Sequence, residues 1–300
     1  MNLATHDHAR WGVDDRIGAA NLLTPEMRLA ALSLVRTGAV YKMGRLISAD
    51  SPFMAPAQTP FVLTTAYTSR NSIKRRRAMG AENDAGSNLE RIEMNVHTGT
   101  HIDALGHFSI GEELYGGRPA LDFMGDVGLI DIGIDECPPI ITRGVCLDLS
   151  GLDGGPFLEP GRAIGPDDLA RAADNAGVAF RAGDVACLHT GWGRHYMVDN
   201  ARYVAGEPGI DEAAARWLTA RDVVAVGADS MAVEVIPNPQ HPKIMMPVHQ
   251  HLLVEAGVYI IENLFMDELV RDGVHEFCFI LLPTPFKGAT GSPAQPVAMV

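Results

Sequence analysis

A short stretch of the sequence, from His97 to His107, concentrates side chains that bind metal ions. Three histidines and one aspartate fall within it: His97, His101, Asp103 and His107. The whole chain holds 11 histidines in 300 residues, so the cluster does not reflect a histidine-rich background. Imidazole and carboxylate ligands without a thiolate suit Zn²⁺, Mn²⁺ or Fe²⁺. A lone histidine in a strand usually forms only hydrogen bonds, but this pattern favours a metal site.

The spacing of the first two histidines requires a bend in the backbone. In an extended strand, His97 and His101 would lie about 13 Å apart. Two nitrogens that share one ion lie roughly 3 Å apart. The intervening Thr-Gly-Thr is a poor helix core, but Gly99 can adopt a tight turn or bulge without a Cβ penalty. Asp103 is then a ligand or a group that holds an imidazole, and His107 is a fourth ligand or a general acid/base.

The letters HTGTHIDALGH resemble the HxGTHxDxxxH signature of the metal-dependent cyclase family, which includes kynurenine formamidase and isatin hydrolase. The N-terminal block 10–25 is similar to a longer branch of roughly 300 residues. Later segments also resemble the family, so the likeness covers most of the chain. These later segments are residues 190–192, 227–230, 262–264 and 288–293.

The resemblance implies a role for each residue of the cluster. His97, His101 and Asp103 correspond to the primary metal ligands, and His107 corresponds to the acid/base. The family implies one or two ions per chain, either Mn²⁺ or Zn²⁺, and Asp103 would bridge two ions. It also implies a swivelling β/β/α fold and a homodimer or homotetramer with the site near an interface.

The second ion of the family also needs a later histidine and glutamate. Glu262 corresponds to the glutamate, but the position twelve residues earlier is Gln250. His249 and His251 flank it, and either one is a candidate. We prefer His249 because it follows a Pro-Val helix start.

Hydrophobic patterning predicts the elements that must position these residues. The sequence favours a single α/β domain, 1–300, on a mixed sheet, with residues 1–40 as an N-terminal extension packed on it. The polar segment 69–88 is expected to be a long mobile loop. Strands are predicted at 40–47, 61–67, 91–97, 127–132, 145–149, 185–188, 223–227, 258–261 and 277–282. Helices are predicted from 25 towards 38 and at 166–175, 211–220, 247–256 and 267–271.

Composition excludes several classes of function. The net charge of −13 disfavours a nucleic-acid partner, and no apolar run is long enough to span a membrane. The N-terminus lacks the pattern of a secretory signal, so the expected location is the cytoplasm. The four cysteines are far apart, which disfavours a disulfide framework. No GxSxG or GxGxxG motif supports a serine hydrolase or a dehydrogenase.

These observations predict a metal-dependent amidohydrolase that acts on a small molecule. The ion would lower the pKa of bound water and polarise the carbonyl of an amide, cyclic or linear, while His107 carries the proton. Two alternatives stay open: a lactone or ester hydrolase on the same scaffold, and a metal-binding module without turnover. The remaining histidines that stand alone are expected to be structural or exposed; they are His189, His195, His241 and His275.

Overall fold

The computed structural model describes residues 10–12 and 14–300. The strands in this part of the chain are β1 (Val40–Lys42), β2 (Val62–Tyr67), β3 (Leu89–Glu93), β4 (His101–Asp103), β5 (Glu113–Leu114), β6 (Arg118–Pro119), β7 (Met124–Gly125), β8 (Gly128–Leu129), β9 (Ile140–Asp148), β10 (Ala163–Ile164), β11 (Val185–His189), β12 (Gly209–Ile210), β13 (Ala225–Ala228), β14 (Tyr259–Glu262), β15 (Glu276–Leu281), β16 (Gly291–Pro293) and β17 (Val297–Met299).

The helices are α1 (Pro25–Leu32), α2 (Ser69–Ala78), α3 (Ala120–Phe123), α4 (Pro166–Ala176), α5 (Asn200–Val204), α6 (Glu212–Thr219), α7 (Pro247–His249) and α8 (Asp267–Arg271). A π-helix, Gln250–Glu255, directly continues α7. Short 3₁₀ helices lie at Gly18–Leu22, Tyr115–Gly117, Ile134–Glu136 and Trp192–His195. None of the described helices is long and apolar enough to cross a membrane.

A nine-stranded mixed sheet with the order β1-β17-β15-β9-β11-β13-β14-β4-β16 organises the fold. The central strands β9, β11, β13 and β14 run parallel, and antiparallel strands complete both sides. Every residue of β11, β13 and β14 is buried, as expected for parallel strands covered on both faces. The prediction of a single α/β domain on a mixed sheet is therefore confirmed.

Local sequence signals place several helices correctly. The hydroxyl of Thr24 caps α1, and the carboxylate of Asp211 caps α6, as their residue types predict. Gly177 ends α4 with φ +66°, a left-handed conformation that glycine adopts without strain. The helix predicted from Pro25 ends at Leu32, well before Gly38.

The prediction of a loop at 69–88 is wrong for its first half, whereas residues 79–88 form neither a helix nor a strand. Ser69–Ala78 forms α2, and the hydroxyl of Thr68 accepts a hydrogen bond from Asn71 N at its start. Arginine and lysine are good helix formers, and three arginines in the last turn face the negative end of the helix dipole. The charges that indicated a solvated loop therefore also stabilise a helix.

The predicted strand 91–97 is only partly correct, because β3 ends at Glu93 and the chain then turns. All five residues of β3 are exposed, so its alternating pattern does not mark a buried face. Strands β2 and β3 with α2 between them form a separate hairpin, which we call the arm (residues 62–93). The predicted strands 40–47 and 127–132 are also longer than the observed β1 and β8.

Candidate metal centre

The bend predicted at Gly99 is present and brings the cluster together. Gly99 has φ +67°, and its carbonyl accepts hydrogen bonds from His101 Nδ1 at 2.8 Å and from Asn263 Nδ2 at 3.0 Å. A Cβ atom at this position would lie 2.6 Å from Ile47 Cγ1, so the turn has no room for a side chain. Strand β4 then pairs antiparallel with β14, which sets His101 directly opposite Glu262.

Asp103 lies at the centre of the buried cluster. Its Oδ1 is 2.8 Å from His97 Nδ1 and 3.4 Å from His101 Nε2. His101 Nε2 is also 3.0 Å from Glu262 Oε2. On the other side, His249 Nε2 is 3.2 Å from Glu262 Oε1 and 3.9 Å from Asp103 Oδ2. The structure therefore brings together the five residues that the sequence proposed as ligands.

The ligand atoms form two overlapping groups that share Asp103. Atoms of His97, Asp103 and His107 lie within 4.8 Å of one another, and so do atoms of His101, Asp103 and Glu262. A carboxylate common to both groups fits the bridging role that the family resemblance implies. Either one ion or two ions could be held by such an arrangement.

The imidazoles of His97, His101 and His249 are each held through the nitrogen that faces away from the cluster. This nitrogen is Nε2 in His97 and Nδ1 in the other two. A carbonyl and a carboxylate can only accept, so Nδ1 of His101 and of His249 carries the proton. In the neutral rings, Nε2 then presents its lone pair to the cluster, as metal-binding histidines require. The outer partners are Thr290 Oγ1 for His97 at 3.0 Å, Gly99 O for His101 at 2.8 Å and Glu234 Oε1 for His249 at 2.6 Å.

The carboxylates of the cluster favour a positive charge between them. Burial lowers the pKa of His101, but the carboxylates of Glu262 and Asp103 raise it to about 10. Burial likewise opposes protonation of His249, yet Glu234 and Glu262 raise its pKa to about 10. Burial opposes the ionisation of Asp103, but the surrounding imidazoles hold its pKa well below the ordinary value. The carboxylates therefore stay charged and attract protons or a metal ion.

The donor atoms fit a divalent ion. Within residues 10–12 and 14–300, His101 Nε2 and both oxygens of Asp103 are buried without a hydrogen bond of acceptable geometry. The short distance from Asp103 Oδ1 to His97 Nδ1 does not meet the angular requirement. Buried polar atoms are nearly always satisfied, so three such atoms at one point indicate a missing partner. Nitrogen and oxygen donors without thiolates suit Mn²⁺ or Zn²⁺.

His107 lies beside the cluster with its ring stacked on His97, at a centroid distance of 4.1 Å and an interplanar angle of 29°. Burial is the main cause that lowers its pKa, to about 4, and the neighbouring His97 and His249 act in the same direction. The neighbouring Phe108 packs against His249 with 4.7 Å between ring centroids. The position of His107 is compatible with both predicted roles, ligand and acid/base.

The structure distinguishes the two later histidines. His251 points away from the cluster, with Nδ1 2.7 Å from Glu255 Oε2 and Nε2 2.9 Å from Thr219 Oγ1. His249 faces Glu262, one position earlier than the family spacing implies. The π-helix Gln250–Glu255 lies between His249 and Glu262 in the chain. The wider turns of a π-helix accommodate an additional residue.

Sequence reasoning missed the outer partners Glu234 and Thr290. Thr290 lies in the family-like block 288–293, so the sequence marked its position but did not indicate its role. Nothing near Glu234 marked it, because its contact with His249 joins two separate segments. His189, for which the sequence predicts a structural or exposed role, is buried with Nδ1 2.9 Å from Asp148 Oδ1.

The family model named Cyclase, described as "Putative cyclase", matches residues 30–235. The match spans more than half of the chain, so the chain belongs to the cyclase family. The resemblance that the metal-binding motif indicated is thereby confirmed.

Curated relatives and solved structures extend this result. Kynurenine formamidase of Bacillus mycoides (strain KBAB4) is 26% identical over 244 residues, which are 81% of this chain and 88% of that protein. A crystal structure of a novel cyclase matches with a TM-score of 0.86 and 28% identity, covering 98% of this chain and 99% of the other. Isatin hydrolase A from Ralstonia solanacearum matches with a TM-score of 0.65 and 18% identity over 92% and 97% of the two chains. The predicted cyclase-like fold is therefore confirmed.

Proposed function

We propose that this chain is a metal-dependent hydrolase that opens the carbon–nitrogen bond of an amide. One observation carries the proposal: His101 Nε2 and both oxygens of Asp103 converge, buried and unsatisfied, among further imidazoles. The similarity to kynurenine formamidases, which covers 88% of the length of the Bacillus mycoides protein, supports amide hydrolysis. Structures of isatin hydrolases share the fold.

His97, His101 and Asp103 would hold one Mn²⁺ or Zn²⁺ ion, and His249 and Glu262 would join Asp103 around a second. When bound, such an ion polarises a carbonyl and lowers the pKa of water towards 7. Asp103 and Glu262 supply the negative charge that retains the ion. Thr290, Gly99 and Glu234 keep the imidazoles oriented from behind.

His107 would carry the proton between water and the leaving nitrogen. Its ring stacks on His97 and lies 6.4 Å, centroid to centroid, from His249, so it borders the cluster on the side of Phe108. A positioned acid/base of this kind contributes about 10²–10⁴-fold to a rate. This proton transfer distinguishes an enzyme from a metal-binding module.

Matched substrates test the proposal. The chelator-treated chain is reloaded with Mn²⁺ or Zn²⁺ and assayed on aryl formamides, cyclic imides and lactones of similar size. We expect metal-dependent turnover of an amide that Asp103→Asn abolishes. Turnover of lactones alone would favour the ester-type alternative, and metal binding without any turnover would favour a non-catalytic module.

We also propose that the chain forms a homodimer or homotetramer, and the arm supports this. An isolated two-stranded hairpin is marginally stable, yet Leu63 and Ile92, which pair across β2 and β3, are each 57% exposed. The arm has six basic and four acidic residues, a net charge of +2, whereas the rest of the chain has −15. This opposite charge favours a second copy of the chain as its partner.

Light scattering tests the arm as an interface. We expect Leu63→Asp to convert an oligomer into monomers, because the variant places a charge in a surface that association would bury. Val198→Asp alters a residue that is 81% exposed outside the arm and should leave the oligomer intact. A wild-type protein that is monomeric at all micromolar concentrations would contradict the proposal.

The remaining predictions concern the whole chain. We propose that the chain forms one domain, 1–300, with 1–40 as an extension packed on it. Residues 1–9 and 13 of this segment lie outside the described residues, and burial of Ala19, Ala20 and Leu23 in the main core supports the proposal. A cytoplasmic location and the lack of a nucleic-acid partner stay predictions from composition.

A further inference from the structure

Glu234 caps the first turn of the helix that carries His249. Pro247 has no N–H group, and Met246 before it provides no side-chain cap. The next two backbone donors, Val248 N and His249 N, lie 3.4 Å and 3.1 Å from the carboxylate oxygens of Glu234. The cap therefore comes from a distant segment instead of from the residue before the helix.

The same carboxylate also accepts a hydrogen bond from His249 Nδ1 at 2.6 Å. Both side chains are at most 3% exposed, so water does not compete for this contact. On the opposite edge of the ring, Nε2 lies 3.2 Å from Glu262 Oε1. Glu234, His249 and Glu262 thus form a line in which the imidazole stands between two carboxylates.

A second buried glutamate, Glu207, anchors the backbone just before Glu234. The carboxylate of Glu207 accepts hydrogen bonds from Met231 N and Ala232 N, both at 2.7 Å. A backbone bridge also joins Ile210 to Glu234. The segment that carries Glu234 is therefore anchored independently of His249. A residue that orients another residue must itself be held in this way.

We propose that Glu234 is the positioning residue for His249: it fixes the ring and its protonated Nδ1, so that Nε2 faces the ion bound by Asp103 and Glu262. This inference rests on the proposed metal-dependent function. A carboxylate behind a metal-binding imidazole fixes its tautomer and raises its basicity, and loss of such a partner weakens metal binding about 10–100-fold.

The chain provides a matched control in the same helical segment. His251 Nδ1 is 2.7 Å from Glu255 Oε2, which is a second carboxylate–imidazole pair, and Glu255 also forms an ion pair with Arg216 at 2.9 Å. The other nitrogen of His251 contacts Thr219 and not the cluster. A general effect of removing a negative charge near this segment should therefore appear in Glu255→Gln as well as in Glu234→Gln.

The test is calorimetric titration of Mn²⁺ into the chelator-treated full chain, with melting curves of each metal-free variant. We expect Glu234→Gln to weaken Mn²⁺ binding about 10–100-fold and Glu255→Gln to leave it unchanged. In the Glu234→Gln variant, the amide oxygen can still accept a hydrogen bond from His249 Nδ1, but the negative charge of the carboxylate is lost. His249→Ala should cause at least the same loss, and adding Glu234→Gln to it should weaken binding no further.

Three results would overturn the inference. These are wild-type affinity in Glu234→Gln, an equal loss in Glu255→Gln, and additive losses in the double variant. A lower melting temperature with unchanged Mn²⁺ affinity would assign Glu234 a purely structural role and so also contradict it. If the wild-type chain binds no ion, the proposed function fails as well, whereas wild-type binding with an unaffected Glu234→Gln variant refutes only the positioning role.

Discussion

Gly99→Ala should damage the metal centre through the backbone. The substitution places a non-glycine residue at φ +67°, which costs about 1–2 kcal/mol. The new Cβ atom would also lie 2.6 Å from Ile47 Cγ1 in a packed region, and such overpacking costs about 1–3 kcal/mol. We therefore expect a total destabilisation of about 2–5 kcal/mol. Because the Gly99 carbonyl orients His101, the affinity for Mn²⁺ should fall as well.

Gly177→Ala is the matched control for this prediction. Gly177 has nearly the same φ, +66°, but apart from its own neighbours in the chain no heavy atom lies within 4 Å of the place that a Cβ atom would take. Only the backbone cost of about 1–2 kcal/mol therefore applies. Urea unfolding of both variants measures the difference, and Mn²⁺ titration should show wild-type affinity for Gly177→Ala. Adding Ile47→Ala to Gly99→Ala should recover part of the loss, because it removes the colliding atom. Equal stability and equal Mn²⁺ affinity of the two glycine variants would refute the reasoning.

Two further predictions concern histidines with different roles. His107→Ala should keep its bound metal and its fold but lose about 10²–10⁴-fold in turnover, whereas loss of metal content would identify His107 as a ligand. Burial opposes protonation of His189, but Asp148, Asp267 and Asp229 raise its pKa to about 10. Its stabilising charge should be fully present below pH 6.5, the ordinary value, and lost as the pH rises through about 10. Urea midpoints at pH 7 and pH 10 should therefore differ more for the wild type than for His189→Gln, and equal differences would contradict this role.

The part of the site that could be predicted from sequence is the part that is local in the chain. His97, His101 and Asp103 lie within seven residues, so a shared ion requires a bend between them, and Gly99 permits that bend. The central strands were predictable because residues such as Val185 and Ile260 belong to continuous apolar runs that parallel strands require. Their observed bounds differ from the predicted ones by only a few residues in most cases.

The contacts that could not be predicted join distant segments. Glu234 reaches His249 across 15 positions, and Thr290 reaches His97 across 193, so neither pairing leaves a local pattern. Glu262 was identified only through the family resemblance. The helix α2 was missed because its arginines suggested solvent exposure, although exposure and helix formation are compatible on an arm.

The metal content of the purified chain tests the central claim most directly. Wild type, Asp103→Ala and His251→Ala are dialysed against Mn²⁺ or Zn²⁺, freed of excess ion and analysed by mass spectrometry, with circular dichroism to verify the fold. Asp103 belongs to both groups of ligand atoms, whereas His251 faces Thr219. We predict at least one divalent ion per chain in the wild type and in His251→Ala, and a near-complete loss in Asp103→Ala. A folded Asp103→Ala protein with wild-type metal content would contradict the account.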